Sequence, residues 1–198
     1  SVASVGYYFL CQICTDIYQK YRSMGIRIHQ FEDQISRISE LVANKTVGVG
    51  VVNIWTCYKH SYQKQLQTRQ LQYHPIATMD IAITVGPANP LYKSAQTSVS
   101  GPYSDIYHRL HLKDSGSRFT TSSRSVIYET LYSTDAYYLN SVYPFRQTAG
   151  NYPAHMNLRT LRVRDCAIQS EIAWIKRKDH TLSIVEEELV NRTLQYFS

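Results

Sequence analysis

Three cysteines and one histidine stand at spacings that protein zinc sites use. Cys11 and Cys14 form a Cys-x-x-Cys pair, and Cys57 and His60 form a Cys-x-x-His pair. Together they offer the Cys3His ligand set of a tetrahedral structural zinc site. Against this, Cys14 falls on the apolar seam of a predicted helix and Cys11 does not, so the two thiols would point in different directions. Because a buried cysteine usually behaves as a small hydrophobic residue, we predict neither a metal site nor a cofactor.

Two polar motifs could take part in enzymatic chemistry, Thr121-Ser122-Ser123 and Gln169-Ser170-Glu171. Both resemble motifs of ADP-ribosyltransferase toxins, in which a Ser/Thr strand supports the NAD site and a Gln-x-Glu triplet carries the catalytic glutamate. The resemblance implies an enzyme that uses Glu171, with Gln169 and Ser122 beside it. The arginine that the family carries on an earlier strand is missing, because the strand predicted over Asp80–Val85 contains none. Without it the NAD phosphates lose their main partner.

Other catalytic signatures are absent from the sequence, which contains no GxSxG, HExxH, P-loop or GxGxxG motif. We therefore favour a non-enzymatic protein and keep the ADP-ribosyltransferase-like enzyme as the alternative.

The chain is basic, with a net charge of +6, which favours anionic partners such as nucleic acid, nucleoprotein or an acidic membrane surface. The densest basic residues lie towards the C-terminus, and we predict that they contact the anion: Arg159, Arg162, Arg164, Lys176, Arg177 and Lys178. The alternative is a solvated strand edge, on which Lys and Arg oppose aggregation. The 17 tyrosines fit half-buried sheet faces or an interface.

Three features bear on the location of the protein. No run of about 18 apolar residues is present, so a transmembrane helix is not expected. The first residues include neither a basic segment nor an initiator Met, and we interpret them as a mature or trimmed start rather than a signal peptide. The four scattered cysteines argue against a disulfide framework and for a reducing compartment.

The elements that would position these residues begin with an apolar repeat. From Tyr7 to Val42 the apolar residues recur at alternating steps of three and four, which predicts one long amphipathic helix with a heptad seam. Such a helix is not stable alone, so its seam packs either on its own chain or on other copies. We predict self-association through the seam residues Ile17, Met24, Ile28, Phe31, Ile35 and Ile38.

Beyond residue 45 the period changes from that of a helix to that of strands. Strands are predicted over residues 47–51, 80–85, 119–131, 137–145, 158–166, 168–175 and 182–185, with a final helix over 186–197. Residues 58–74 fit either a short helix or a strand pair. The prediction is an α+β fold with two segments: a long amphipathic helix (1–45) and a basic, tyrosine-rich β domain (46–198) with a mostly antiparallel sheet and a short C-terminal helix.

Two longer segments resemble the matrix proteins of rhabdoviruses, residues 81–107 (IAITVGPANPLYKSAQTSVSGPYSDIY) and 161–178 (LRVRDCAIQSEIAWIKRK). The family's basic N-terminal arm and PPxY-type motif are absent, and the heptad segment stands in their place. The resemblance implies a viral structural or assembly protein, matrix- or coat-like. Such a protein would self-associate on anionic membrane or nucleic acid and reside in the virion or the host cytoplasm.

Overall fold

A computed structural model describes residues 1–95, 98–100, 119–121, 123–142, 157–164 and 168–198 of this chain. The chain divides into two compact units. Unit 1 comprises residues 1–77 and 171–198, and unit 2 comprises residues 78–170. The chain therefore passes between the units twice, after residue 77 and after residue 170. These units differ from the 1–45 and 46–198 segments predicted from the sequence.

Unit 1 is built around a sheet with the strand order β2-β1-β3-β8-β4. Its strands are β1 (Val2–Ser4), β2 (Gln30–Glu32), β3 (Val49–Trp55), most of β8 (Ser170–Arg177) and the first half of β4 (Leu71–Val85). Strand β1 pairs in parallel with both β2 and β3. Beside β4 and β8, the Lys178 backbone N–H donates to the Gln70 carbonyl.

The helices of unit 1 are α1 (Tyr8–Tyr21), α2 (Ile35–Ala43), α3 (Lys59–Thr68) and α5 (Ile184–Tyr196). Helix α5 begins with a capping box, in which the Ser183 hydroxyl accepts from the Glu186 backbone N–H and the Glu186 carboxylate accepts from the Ser183 N–H. Helix α2 buries Ile38 and Val42, which join one core with residues of α3, β3, β4 and β8. Strand β3 is apolar along nearly its whole length, as expected for a strand covered on both faces.

Helices α1 and α5 pack against each other in unit 1. The Phe9 ring stacks on Tyr196, with ring centroids 4.6 Å apart, and meets Phe197 edge-on. At the other end of α1, the Glu188 carboxylate accepts hydrogen bonds from Lys20 and Tyr21. The helix pair is therefore held by an aromatic cluster at one end and by charged hydrogen bonds at the other.

Unit 2 contains the second half of β4 with β5 (Ser98–Ser100), β6 (Tyr137–Val142), β7 (Arg159–Arg164) and helix α4 (Arg124–Ser133). Strand β4 pairs antiparallel with both β6 and β7, whereas β5 pairs in parallel with β7. Helix α4 contributes Tyr128 and Leu131 to a small core that also contains Leu158.

The prediction of one continuous helix from Tyr7 to Val42 is wrong. Helix α1 ends at Tyr21, and a short 3-10 turn follows and closes at Gly25, whose φ of +68° is left-handed. The chain then forms the edge strand β2 before α2 begins at Ile35. The spacing by threes and fours continues across this break because Met24 in the turn, Ile28 after it and Phe31 in β2 happen to keep it, and spacing alone does not reveal a change of direction.

Two further elements differ from their predictions. Residues 124–131, predicted as part of a strand over 119–131, belong to α4. Residues 182–185, predicted as a strand, form the loop before α5 and its first residues. The undecided stretch 58–74 is α3 followed by the start of β4. The mixed α+β class and the C-terminal helix are confirmed.

Candidate functional site

A buried carboxylate lies at the start of β8 in unit 1. Glu171 is the first residue of unit 1 after the second passage between units, and its side chain is only 11% exposed. The Lys59 Nζ donates to its Oε2 at 2.8 Å, and the Tyr73 hydroxyl donates to its Oε1 at 2.7 Å. Lys59 is the first residue of helix α3, whereas Tyr73 lies on β4, which is the neighbour of β8 in the sheet. We call these three residues the Glu171 cluster.

The Glu171 cluster satisfies both carboxylate oxygens with protein donors, which a buried charge requires. Burial, reinforced by the hydrogen bond to Glu171, raises the pKa of Tyr73 far above its ordinary value. The phenol therefore stays protonated and acts as a donor. The Lys59 side chain is 35% exposed, so this cationic member of the cluster is partly open to solvent.

Unit 2 carries a second polar group where β4, β6 and β7 meet. The Asn140 amide donates to the Thr84 hydroxyl at 2.8 Å, and that hydroxyl lies 2.9 Å from the Thr160 hydroxyl. Thr84 is fully buried. The Oδ1 of Asn140 is buried and accepts no hydrogen bond from any residue that the structure describes. This group has hydrogen-bonding capacity but no nucleophile with an adjacent base.

The ADP-ribosyltransferase arrangement is wrong for this chain. Phe119, Thr120 and Thr121 do not form a strand, and Ser123 directly precedes α4. Ser122 lies outside the described residues. Gln169 lies near Asp80, with Nε2 3.5 Å from Oδ1, whereas Glu171 is held by Lys59 and Tyr73. The Gln-x-Glu triplet therefore serves internal contacts, and the described residues of the segment 119–123 form no strand beside it.

The paired cysteines lie on one open groove of unit 1, about 520 Å³ in volume, between α1 and the segment 26–30. Cys11 is exposed and Cys14 is buried, and burial raises the pKa of the Cys14 thiol to about 11. Cys57 is exposed in the 3-10 turn Thr56–Tyr58. Within the described residues, no three His, Cys, Asp or Glu side chains come together as a metal site would need.

The basic residues predicted to contact an anion have internal partners in most cases. The Arg159 Nη1 lies 3.0, 2.7 and 2.6 Å from the carbonyl oxygens of Leu91, Tyr92 and Ser94. Arg162 lies 3.9 Å from the Asp80 carboxylate.

The remaining basic residues lie on β7 and around the end of β8. Lys176 donates to the His180 carbonyl, and Arg177 pairs with Asp179. Arg164 belongs to β7, and Lys178 is exposed. An anion-binding role for these residues stays a prediction.

The predicted self-association residues divide into two kinds. Ile17 and Ile38 are fully buried in unit 1, whereas Ile28 and Ile35 are partly buried. Met24 is 73% exposed and Phe31, on the edge strand β2, is 37% exposed. Of the six, Met24 and Phe31 are thus the most available to another copy.

The partners of Glu171 were missed by reasoning from the sequence. Lys59 lies 112 positions away along the chain and Tyr73 lies 98 positions away. In the sequence, Glu171 directly precedes the apolar residues 172–175. A carboxylate in that position indicates that other residues donate hydrogen bonds to it, but the identity of those donors depends on which strands become neighbours.

Comparison with known proteins gives a fold but no sequence family. No family model matches the chain, and no curated protein matches it. Solved structures do match. The effector binding domain of QuiR in complex with shikimate superposes with a TM-score of 0.56 at 10% identity, covering 98% of this chain and 94% of that domain. The Synechocystis PCC6803 CcmR regulatory domain in complex with 2-PG gives 0.60 at 13% identity, covering 100% and 96%.

A longer protein matches as well. HinK, a LysR family transcriptional regulator from Pseudomonas aeruginosa, gives a TM-score of 0.56 at 12% identity over 100% of this chain and 69% of its own. The chain thus has the fold of LysR-family regulatory domains.

This finding overturns the interpretation as a viral protein. The structural neighbours are regulatory domains of transcriptional regulators rather than rhabdovirus matrix proteins. The structure and the comparisons therefore give no support to a matrix or coat role, to a virion location, or to nucleoprotein and membrane partners. None of the helices among the described residues has the length and apolar character needed to cross a bilayer.

Proposed function

We propose that this chain is a ligand-sensing regulatory domain of LysR type, which binds a small-molecule effector and passes the binding signal to the assembly that contains it. The observation that carries the proposal is the superposition on the QuiR effector binding domain over 98% of this chain and 94% of that one. Two of the matching domains were solved with a small molecule, shikimate in QuiR and 2-PG in CcmR. A cytoplasmic location would fit this role and the reducing compartment predicted from the cysteines.

The composition of the chain supports an acidic effector. Its net charge is +6, and a basic protein attracts small anions to its surface. The Glu171 cluster presents an accessible ammonium in unit 1. In unit 2, the partly buried Asn140 and Thr160 side chains, which contact the buried Thr84 hydroxyl, supply neutral hydrogen-bonding groups of the kind that fix the orientation of a ligand.

The proposal is tested by titrating the purified chain with a panel of small organic acids and their neutral analogues, shikimate and 2-PG included, in a calorimeter. Saturable binding with one site per chain, accompanied by a rise in Tm that grows with ligand concentration, is the expected result, because a ligand that binds only the folded state stabilises it. Absence of saturable binding for the whole panel, acids and neutral compounds alike, would overturn the proposal.

We also propose that the chain forms homo-oligomers, and that Met24 and Phe31 contribute to the contact. Both are exposed apolar residues, and β2 lies at the edge of the unit 1 sheet, where another chain can approach. Light scattering is expected to show a lower mass for Met24→Ser combined with Phe31→Ser than for the parent. The control is Tyr132→Ser, an exposed aromatic residue of α4 in unit 2. A monomeric parent would exclude this proposal.

A further inference from the structure

We infer that the Lys59 ammonium binds a carboxylate of the effector, and that Glu171 is an internal carboxylate that competes with the effector for it. This inference rests on the proposed function. The inference goes beyond the proposed function because it names the binding residue in unit 1, the chemical class of the ligand group and a regulatory role for Glu171.

The position of Lys59 in its helix is the first argument. Lys59 is the first residue of α3, and the first turn of α3 contains no acidic residue and no side-chain cap. A cation at this end is unfavourable, because the helix N-terminus already carries a partial positive charge. Residues that break such a local rule concentrate at functional sites. The whole of α3 lacks acidic residues, and Lys64 adds to its positive charge.

The hydrogen-bonding capacity of Lys59 is the second argument. An ammonium has three N–H donors, and within the described part of the chain one hydrogen bond is found for it, to Glu171. The Lys59 side chain is 35% exposed, so solvent and small solutes reach part of it. The ammonium can therefore donate to a second carboxylate, or exchange Glu171 for another carboxylate.

The third argument is that Glu171 can lose Lys59 and remain satisfied in part. Its other oxygen accepts from the Tyr73 hydroxyl at 2.7 Å, and the raised pKa keeps that hydroxyl protonated. An incoming carboxylate would restore the charge balance around Lys59 when it replaces Glu171. The geometry of the Lys59–Glu171 pair already shows that a carboxylate fits this ammonium, at a distance of 2.8 Å.

Competition predicts opposite effects for the two partners of the ion pair. Lys59→Met removes the cation and is expected to weaken the binding of an acid about tenfold or more, as the loss of a charged hydrogen bond does. Glu171→Gln removes the competing charge but keeps the side-chain length, and it is expected to strengthen binding by about tenfold, because the nearby negative charge no longer offsets the ammonium. A merely structural role would give no gain in affinity for Glu171→Gln.

Matched controls exist in unit 1. Lys64 is an exposed lysine of the same helix, and Glu187 is an exposed glutamate of α5. Lys64→Met and Glu187→Gln are expected to leave the affinity within about twofold, because screening by solvent weakens distant surface charges. Since Lys59→Met leaves Glu171 buried without its cation, the double variant Lys59→Met with Glu171→Gln removes both charges and preserves folding.

The experiment measures the affinity of the parent and these variants by calorimetry for shikimate and for its neutral methyl ester, and repeats the comparison with each acid of the panel that the parent binds. Weaker acid binding in Lys59→Met and in the double variant, with tighter binding in Glu171→Gln, is expected. Equal affinity in Lys59→Met and Lys64→Met, or unchanged or weaker acid binding in Glu171→Gln, would overturn the inference and leave the proposed function standing. If the parent bound only neutral compounds, this inference would also be overturned and the proposed function would stand. Absence of any ligand for the parent would overturn both.

Discussion

The imidazole of His74 lies flat against the indole of Trp174, with ring centroids 4.0 Å apart and ring planes 11° apart. His74 is on β4 and Trp174 is on β8, so the stack ties two neighbouring strands of unit 1. The Nε2 of His74 is buried and has no hydrogen-bond partner within the described residues.

Protonation of His74 is expected to destabilise the protein. Burial, with a smaller effect of the Lys176 ammonium, lowers the pKa of His74 below its ordinary value of 6.5. Below pH 6.5 the unfolded chain therefore binds more protons than the folded one, and the free energy of unfolding falls as the pH drops through that value. His74→Gln is expected to flatten this dependence, measured by urea unfolding between about pH 5.5 and 7.5. If the exposed His60→Gln flattened it equally, the assignment to His74 would be wrong.

Loss of the Glu188 charge is expected to loosen α1 from α5. Hydrogen bonds from Lys20 and then Tyr21 lower the pKa of Glu188 to about 2, and Arg192 also pairs with it at 2.7 Å. The stabilisation is fully present above the unfolded-state value of 4.5 and is lost as the pH falls towards about 2.

Glu188→Gln should therefore lower Tm at pH 7, and the difference from the parent should shrink below about pH 4. The measurement is thermal unfolding across this pH range, with Glu187→Gln as the exposed neighbour control. A difference that persists unchanged at low pH would show that Glu188 acts through packing rather than charge.

Removal of the Arg159 guanidinium is expected to release residues 91–94. Its Nη1 serves the carbonyl oxygens of Leu91, Tyr92 and Ser94 at once. Arg159→Met should lower the free energy of unfolding by about 1 to 3 kcal/mol, because the carbonyls lose a charged donor, and it should speed proteolysis in this segment. Arg162 is on the same strand as Arg159, and its guanidinium lies 3.9 Å from the Asp80 carboxylate. Arg162→Met should therefore lower the free energy of unfolding by less. An equal loss of unfolding free energy in both variants would argue against a specific role of the Arg159 hydrogen bonds.

A side chain at Gly86 is expected to be poorly tolerated. A Cβ there would overlap the backbone carbonyl of Leu131, because the end of β4 and helix α4 approach closely at this point. Gly86→Ala should lower the free energy of unfolding by about 3 kcal/mol, the upper range for overpacking. Gly25→Ala should cost about 1 to 2 kcal/mol, because none of the described residues lies within 4 Å of the added Cβ and the left-handed φ is what opposes a side chain there. Urea unfolding of both variants decides whether the predicted order is right.

Several elements could be predicted from local pattern because the pattern and the structure share a cause. The apolar run 80–85 lies within β4, and residues 168–175 overlap β8, since β-branched residues in short runs pack well in sheets. Residues 186–197 lie close to α5, where Ser183 and Glu186 provide a local start signal. These properties depend on residues close together in the chain.

The break after Tyr21 shows where such inference fails. An apolar spacing of three and four is compatible with a helix, but it does not record where the chain turns. Gly25 closes the turn, and β1 takes β2 as a parallel neighbour. That pairing is a tertiary contact, and it outweighs the modest preference for continuing a helix.

The sequence by itself determined the mixed α+β class, the basic charge and the C-terminal helix, because each follows from composition or from neighbours along the chain. It also placed Glu171 within a predicted strand, residues 168–175. Only the tertiary structure decided that its hydrogen-bond donors are Lys59 and Tyr73, since the order of the strands brings together residues that are 98 and 112 positions apart from Glu171. The resemblance to regulatory domains is likewise visible only in the superposed structures, because the sequence identities are 10% and 13%.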